Sequence, residues 1–155
     1  MNTAVGSVVD IRTPLGRAVF GFLAGAIAVV IGHQVMVLVL YLIGQIPNPP
    51  YSFRPNPWGV PQLINQMFWG GLWGLLYGLI SGFFPRDWQT WMKGLVFGLG
   101  IHVVLGNWIV VALIRNTPLF SGFVPMNMLR GALIGTAFGL AVAYACAFLT
   151  GRFAR

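Results

Sequence analysis

Apolar residues dominate four stretches of the chain, at about 17–44, 62–84, 93–114 and 126–149, and polar or proline-bearing residues are confined to the segments between them. Each stretch is close to the 20 or so residues that a helix needs to cross a bilayer's hydrocarbon core. The pattern predicts an all-α membrane protein: four transmembrane helices in an up-and-down bundle, one domain over 17–151. Residues 1–16 read as a polar N-terminal arm and 152–155 as a short tail. The first stretch is too long for the core of a signal peptide and no small-residue cleavage pattern follows it, so it is expected to stay as a spanning helix.

Glycine sets the fine pattern. Gly70, Gly74, Gly78 and Gly82 recur at every fourth position of the second stretch, and on a helix they form one bare stripe. Glycine costs about 1 kcal/mol relative to alanine in a water-exposed helix. In hydrocarbon the backbone has no water to defect to, and a bare stripe lets a second helix approach closely. Gly131, Gly135 and Gly139 repeat the spacing in the fourth stretch. These seven glycines are the expected helix-packing residues. Arg17-Ala18-Val19-Phe20-Gly21 also loosely echoes Lys93-Gly94-Leu95-Val96-Phe97-Gly98, as a tandem two-helix repeat would.

Between the first two stretches, residues 45–61 carry six prolines (Pro47, Pro49, Pro50, Pro55, Pro57 and Pro61), which forbid regular helix and favour a stiff extended loop. Tyr51, Phe53 and Trp58 suit the headgroup layer, so the loop is expected to cap the bundle, with a docking loop for a partner as the sharper reading. Gln62, Asn65 and Gln66 open the second helix and are expected to bond water and headgroups rather than line a polar vestibule. Pro85 to Trp91 is short enough to make the second and third helices antiparallel neighbours.

Composition agrees. Hydrophobic residues make up 57% of the chain and charged ones 7%, against about 25% in soluble domains. The net charge of +7 comes from cations scattered beside apolar runs, without the basic stripe that nucleic acid requires. They read as topology signals facing lipid headgroups. Arg12, Arg17, Arg86, Lys93, Arg152 and Arg155 fall on one side and Arg54, Arg115 and Arg130 on the other, so both termini are expected in the cytoplasm. The single Cys146 allows no intramolecular disulfide.

Candidate chemistry is sparse. His33 and His102 are the only mid-helix groups with ligand capacity, each about 13 residues from the outer end of its helix, or roughly 20 Å at 1.5 Å per residue. Matching depth on the first and third helices makes them candidate axial ligands of a b-type haem, with Gly32 and Gly100 leaving room for a macrocycle. The alternative is an ordinary interhelical hydrogen bond for each. Ser81 lies near the inner end of its helix and cannot meet either histidine. No apolar run holds an Asp or Glu, as a proton pathway would, and there is no metal-type Cys/His cluster or phosphate loop. No catalytic residue is expected and the chain does not read as an enzyme.

The arrangement His33-Gln34, Ile46-Pro47-Asn48-Pro49-Pro50-Tyr51, Gly59-Val60-Pro61-Gln62, Phe68-Trp69-Gly70-Gly71-Leu72-Trp73-Gly74 and Lys93-Gly94-Leu95-Val96-Phe97-Gly98 resembles a loose group of short four-helix proteobacterial inner-membrane proteins of unknown function. The likeness covers about the first two thirds and implies no activity, cofactor or site residue. The expected function is a non-catalytic integral membrane protein that packs through its glycine faces and associates with itself or with a larger membrane complex. A bis-histidine b-haem electron-transfer protein and a small channel or carrier stand as alternatives.

Overall fold

The computed structural model describes residues 13–151; the arm up to residue 12 and the tail 152–155, with Arg12, Arg152 and Arg155, lie outside the described residues. The chain is 77% helical with no strand among the described residues. We number four rods: α1 Pro14–Leu42, α2 Gln62–Ile80, α3 Thr90–Ile114 and α4 Pro125–Thr150. Of these, α1, α3 and α4 are long and apolar enough to cross a membrane, at 29, 25 and 26 residues. The shorter α2, with 19 residues, is not among them. Its opening amides and its many glycines and tryptophans dilute its hydropathy.

The helix ends follow local chemistry. α1 starts three residues before Arg17 because Thr13 caps it, its Oγ1 accepting from the Gly16 N–H at 3.0 Å, and Pro14 supplies a first residue that has no N–H to satisfy. Thr90, rather than Lys93, opens α3. Pro125 begins α4, which ends at Gly151 in the left-handed region (φ +62°) favoured by a residue without a Cβ. α2 tightens into a 3₁₀ turn, Ser81–Phe83, before Pro85 stops it.

Glycines bring helix backbones into contact in two antiparallel pairs. A Cβ placed on Gly25 would lie 2.8 Å from the Gly74 Cα, and one on Gly21 3.0 Å from the Gly78 Cα, so α1 and α2 touch main chain to main chain. In the second pair, a Cβ on Gly98 would meet the Gly135 carbonyl at 2.6 Å and the Gly139 Cα at 2.9 Å, which seals α3 to α4. α1 also runs against α4, where a Cβ on Gly32 would fall 2.6 Å from both the Ala137 carbonyl and the Ala141 Cβ.

α2 and α3 meet differently, through rings. Trp73 packs edge-on against His102 (5.0 Å, 90°) and Tyr77 against Phe97 (5.1 Å, 73°). Tyr77, Phe97, Phe138 and Val142 form the buried centre of the molecule. Two positions depart from the expected stripes. Gly82 lies in the 3₁₀ turn beyond α2, with nothing within 4 Å of an added Cβ. Gly131 faces only the Trp108 indole nitrogen, at 3.4 Å, and no helix backbone.

Candidate ligand-binding cleft

A cleft of about 570 Å³ opens between the helices at the end nearer the proline loop, and every rod contributes to its walls. His33 comes from α1, Gln66 and Trp73 from α2, His102 and Asn107 from α3, and Gly135 and Phe138 from α4, with Arg115 and Ser121 from the α3–α4 connection. No carboxylate among the described residues lines it. The amides Gln62, Asn65 and Gln66, expected to face water and headgroups, belong to these walls. Both histidines do too.

Each histidine lies where its helix departs from α winding. α1 winds as a π-helix over Val29–His33 and α3 over Val96–Val111. This wider winding is uncommon and recurs at functional sites. In both stretches a side chain bonds a main-chain carbonyl: Tyr51 Oη donates to Val30 O at 3.0 Å, and Asn107 Nδ2 to His102 O at 3.1 Å. Apolar surroundings offer a loosened carbonyl no water, so these donors favour the wider turns.

The amides also decide where the ring protons sit. The Tyr51 N–H can only donate, and it lies 2.7 Å from Gln34 Oε1, which fixes the orientation of the buried Gln34 amide. Gln34 Nε2 is then the donor, to Gln66 Oε1 at 2.7 Å and more weakly to His33 Nδ1 at 3.4 Å. A ring nitrogen that accepts carries no proton, so His33 holds its proton on Nε2. The second histidine is the mirror case. Asn107 Nδ2 donates to a carbonyl and also lies 3.4 Å from His102 Nε2, which leaves the His102 proton on Nδ1.

That Nδ1 is buried and has no hydrogen-bond partner. The His102 ring packs against Trp73 and Phe138, with ring centroids 5.0 and 4.8 Å away, and Nδ1 lies 3.2 Å from where a Gly135 Cβ would be. An unpaired buried N–H costs about 1–3 kcal/mol. An acceptor atom brought into the cleft would remove that cost.

The hydrogen bonds suit donation to a ligand better than ligation of haem iron. Iron takes a lone pair from each ring; the His33 lone pair is engaged by Gln34 and that of His102 by Asn107. A ligating imidazole also normally donates its other N–H to a carbonyl or carboxylate, which His102 Nδ1 does not do. The space expected beside Gly32 is filled by Ala137 and Ala141, while Gly100 is open. Among the described residues, no three His, Cys, Asp or Glu side chains gather as a metal site.

The site residues thus divide. Gly70, Gly74, Gly78, Gly135 and Gly139 sit at close helix approaches, and Gly70 and Gly135 also border the cleft. Ser81 is elsewhere, its Oγ donating to Gly78 O at 2.8 Å. Sequence reasoning missed Asn107 and Trp73 as partners of His102, and Gln34 as the link between loop and cleft. An i,i+5 pair such as His102 and Asn107 shares no face of an α-helix, so no 3.6-residue periodicity brings it out. Compared with protein-family models, with curated proteins and with solved structures, the chain finds no match.

Proposed function

We propose that this chain is a non-catalytic, four-span protein of the bacterial inner membrane with both termini in the cytoplasm, and that its cleft binds a flat, uncharged ring bearing acceptor oxygens, of the quinone type. The observation that carries the reading is the pair of imidazole N–H groups on α1 and α3, one of them buried and unpartnered, on the walls of one cleft without a carboxylate. Two carbonyls on opposite edges of a ring match donors on two walls. Trp69, Trp73 and Trp108 supply apolar faces, and the absence of a carboxylate from the walls disfavours a cationic ligand. α2 is carried as the fourth span because its glycine face is sealed against α1. The glycine faces are engaged within the chain, which supports a closed bundle over a subunit held to partners or to itself by those faces.

The test is titration of the full chain in mild detergent with decylubiquinone, followed by tryptophan quenching corrected for inner-filter absorption. Saturable quenching is expected. His102→Phe keeps the ring and removes the donor, and should weaken binding about tenfold, the loss of one buried hydrogen bond. Unsaturable quenching, or equal affinity in His33→Phe, His102→Phe and the parent protein, refutes the reading. A Soret band in protein from haem-replete cells, lost in both variants, replaces it with the haem alternative.

A further inference from the structure

A second cavity, of about 220 Å³, lies at the opposite end of the molecule and shares no lining residue with the cleft. α1 and α3 begin there, and each places a cation from its first turns on the wall: Arg17 and Lys93. Hydroxyls surround them, from Tyr77, Ser81, Thr90 and Thr150, and no carboxylate among the described residues lines the cavity. Arg17 Nε is buried and has no hydrogen-bond partner among the described residues. The carbonyls that α2 and α4 turn toward this end are partly met, Gly78 O by Ser81 Oγ at 2.8 Å and Ala147 O by Thr150 Oγ1 at 3.4 Å. They compete the less for the cations. The N-terminal ends of α1 and α3 add positive partial charge on the same side.

We propose that this cavity is a site for a phosphate group carrying net negative charge. Guanidinium and ammonium bind phosphate oxygens in complementary ways, one as a fork and the other as a point charge, and the Tyr77 hydroxyl supplies a further donor. The volume admits a phosphate with a small substituent. Phe83 and Trp91 stand exposed near this end, at 88% and 46%, as rings at a headgroup layer do. The group therefore reaches the site either on an anionic glycerophospholipid or as free phosphate.

The experiment uses the full chain, delipidated in mild detergent, with binding read by native mass spectrometry and thermal shift. Probes are phosphatidylglycerol, phosphatidylcholine, and inorganic phosphate against sodium chloride at equal ionic strength. The site predicts that phosphatidylglycerol is retained and stabilises the protein while phosphatidylcholine does so far less. Lys93→Gln should weaken retention about tenfold, as the loss of one charged hydrogen bond does, with Arg17→Gln acting likewise. Arg54→Gln, in the proline loop, should change nothing. Should Arg17→Gln misfold, Lys93→Gln carries the test alone. Stabilisation by inorganic phosphate equal to that by the lipid keeps the site and assigns it to free phosphate. Equal retention of the two lipids, retention unchanged in Lys93→Gln, or the same loss in Arg54→Gln overturns it.

Discussion

Gly74→Ala puts one of the close backbone approaches between α1 and α2 to the test. The new methyl carbon would stand 2.5 Å from the Gly25 Cα and 2.6 Å from the Gly25 nitrogen, and closer still to the Gly21 carbonyl. Ordinary contact begins near 3.4 Å, so α1 and α2 would have to separate locally by about 1 Å. Every atom met belongs to main chain, and no rotamer change relieves the overlap. Overpacking of this kind typically costs about 1–3 kcal/mol. Alanine's better helix propensity returns at most about 1 kcal/mol. A net loss of about 1–2 kcal/mol corresponds to roughly 2–8 °C in melting temperature for a chain of this size. The internal control is Gly82→Ala, on the same four-residue spacing but with nothing within 4 Å of the added carbon. Both variants, melted in mild detergent by circular dichroism, should separate clearly, with Gly82→Ala at the parent value. Equal shifts, or a Gly74→Ala protein as stable as the parent, would refute the close approach of α1 and α2.

Gln34→Leu removes the acceptor of the Tyr51 N–H and should cost about 1–3 kcal/mol. It should also free the proline loop, read as faster chymotryptic cleavage after the exposed Phe53. Tyr51→Phe loses only the 3.0 Å bond to Val30 O and should cost about 1 kcal/mol in the same melt; a loss as large as that of Gln34→Leu would mean that the hydroxyl holds the loop as firmly as the Gln34 amide does. Reporter fusions should place the C-terminus in the cytoplasm and residues 45–61 outside, and the reverse pattern would invert the assignment of the two cavities to membrane faces.

The three long apolar helices α1, α3 and α4 were the most legible part of the fold, because length and apolarity alone define them, whereas α2, expected as a fourth span, is not apolar enough to be counted with them. Their ends were less so: the charge on Arg17 drew attention three residues past the cap that Thr13 and Pro14 form. Glycine spacing identified which face of α2 lacks a Cβ but could not name the face that fills it, since pairing with Gly21 and Gly25 is a tertiary fact. Gly82 kept the spacing after the helix had already tightened, so periodicity overran the element. The histidines stood out as the only mid-helix imidazoles, yet their chemistry depends on Gln34 and Asn107, whose orientations are fixed by a loop N–H and a carbonyl. That arrangement rests on π winding, which hydrophobic periodicity does not register.

The contrast between sealed and ring-filled seams makes the molecule mechanically uneven. Along α1–α2, α3–α4 and the Gly32 contact of α1 with α4, main chain or alanine lies against main chain, and any widening forfeits many atom contacts at once. Between α2 and α3 the gap is spanned by Trp73, Tyr77 and Phe97, side chains with torsions that can rotate. The compliant direction is therefore the one that parts α2 from α3, with the α1–α4 contact as the spine about which two stiff leaves turn. A guest larger than the resting cleft would press first on this seam, where turning the Trp73 ring, rather than parting two backbones, makes room.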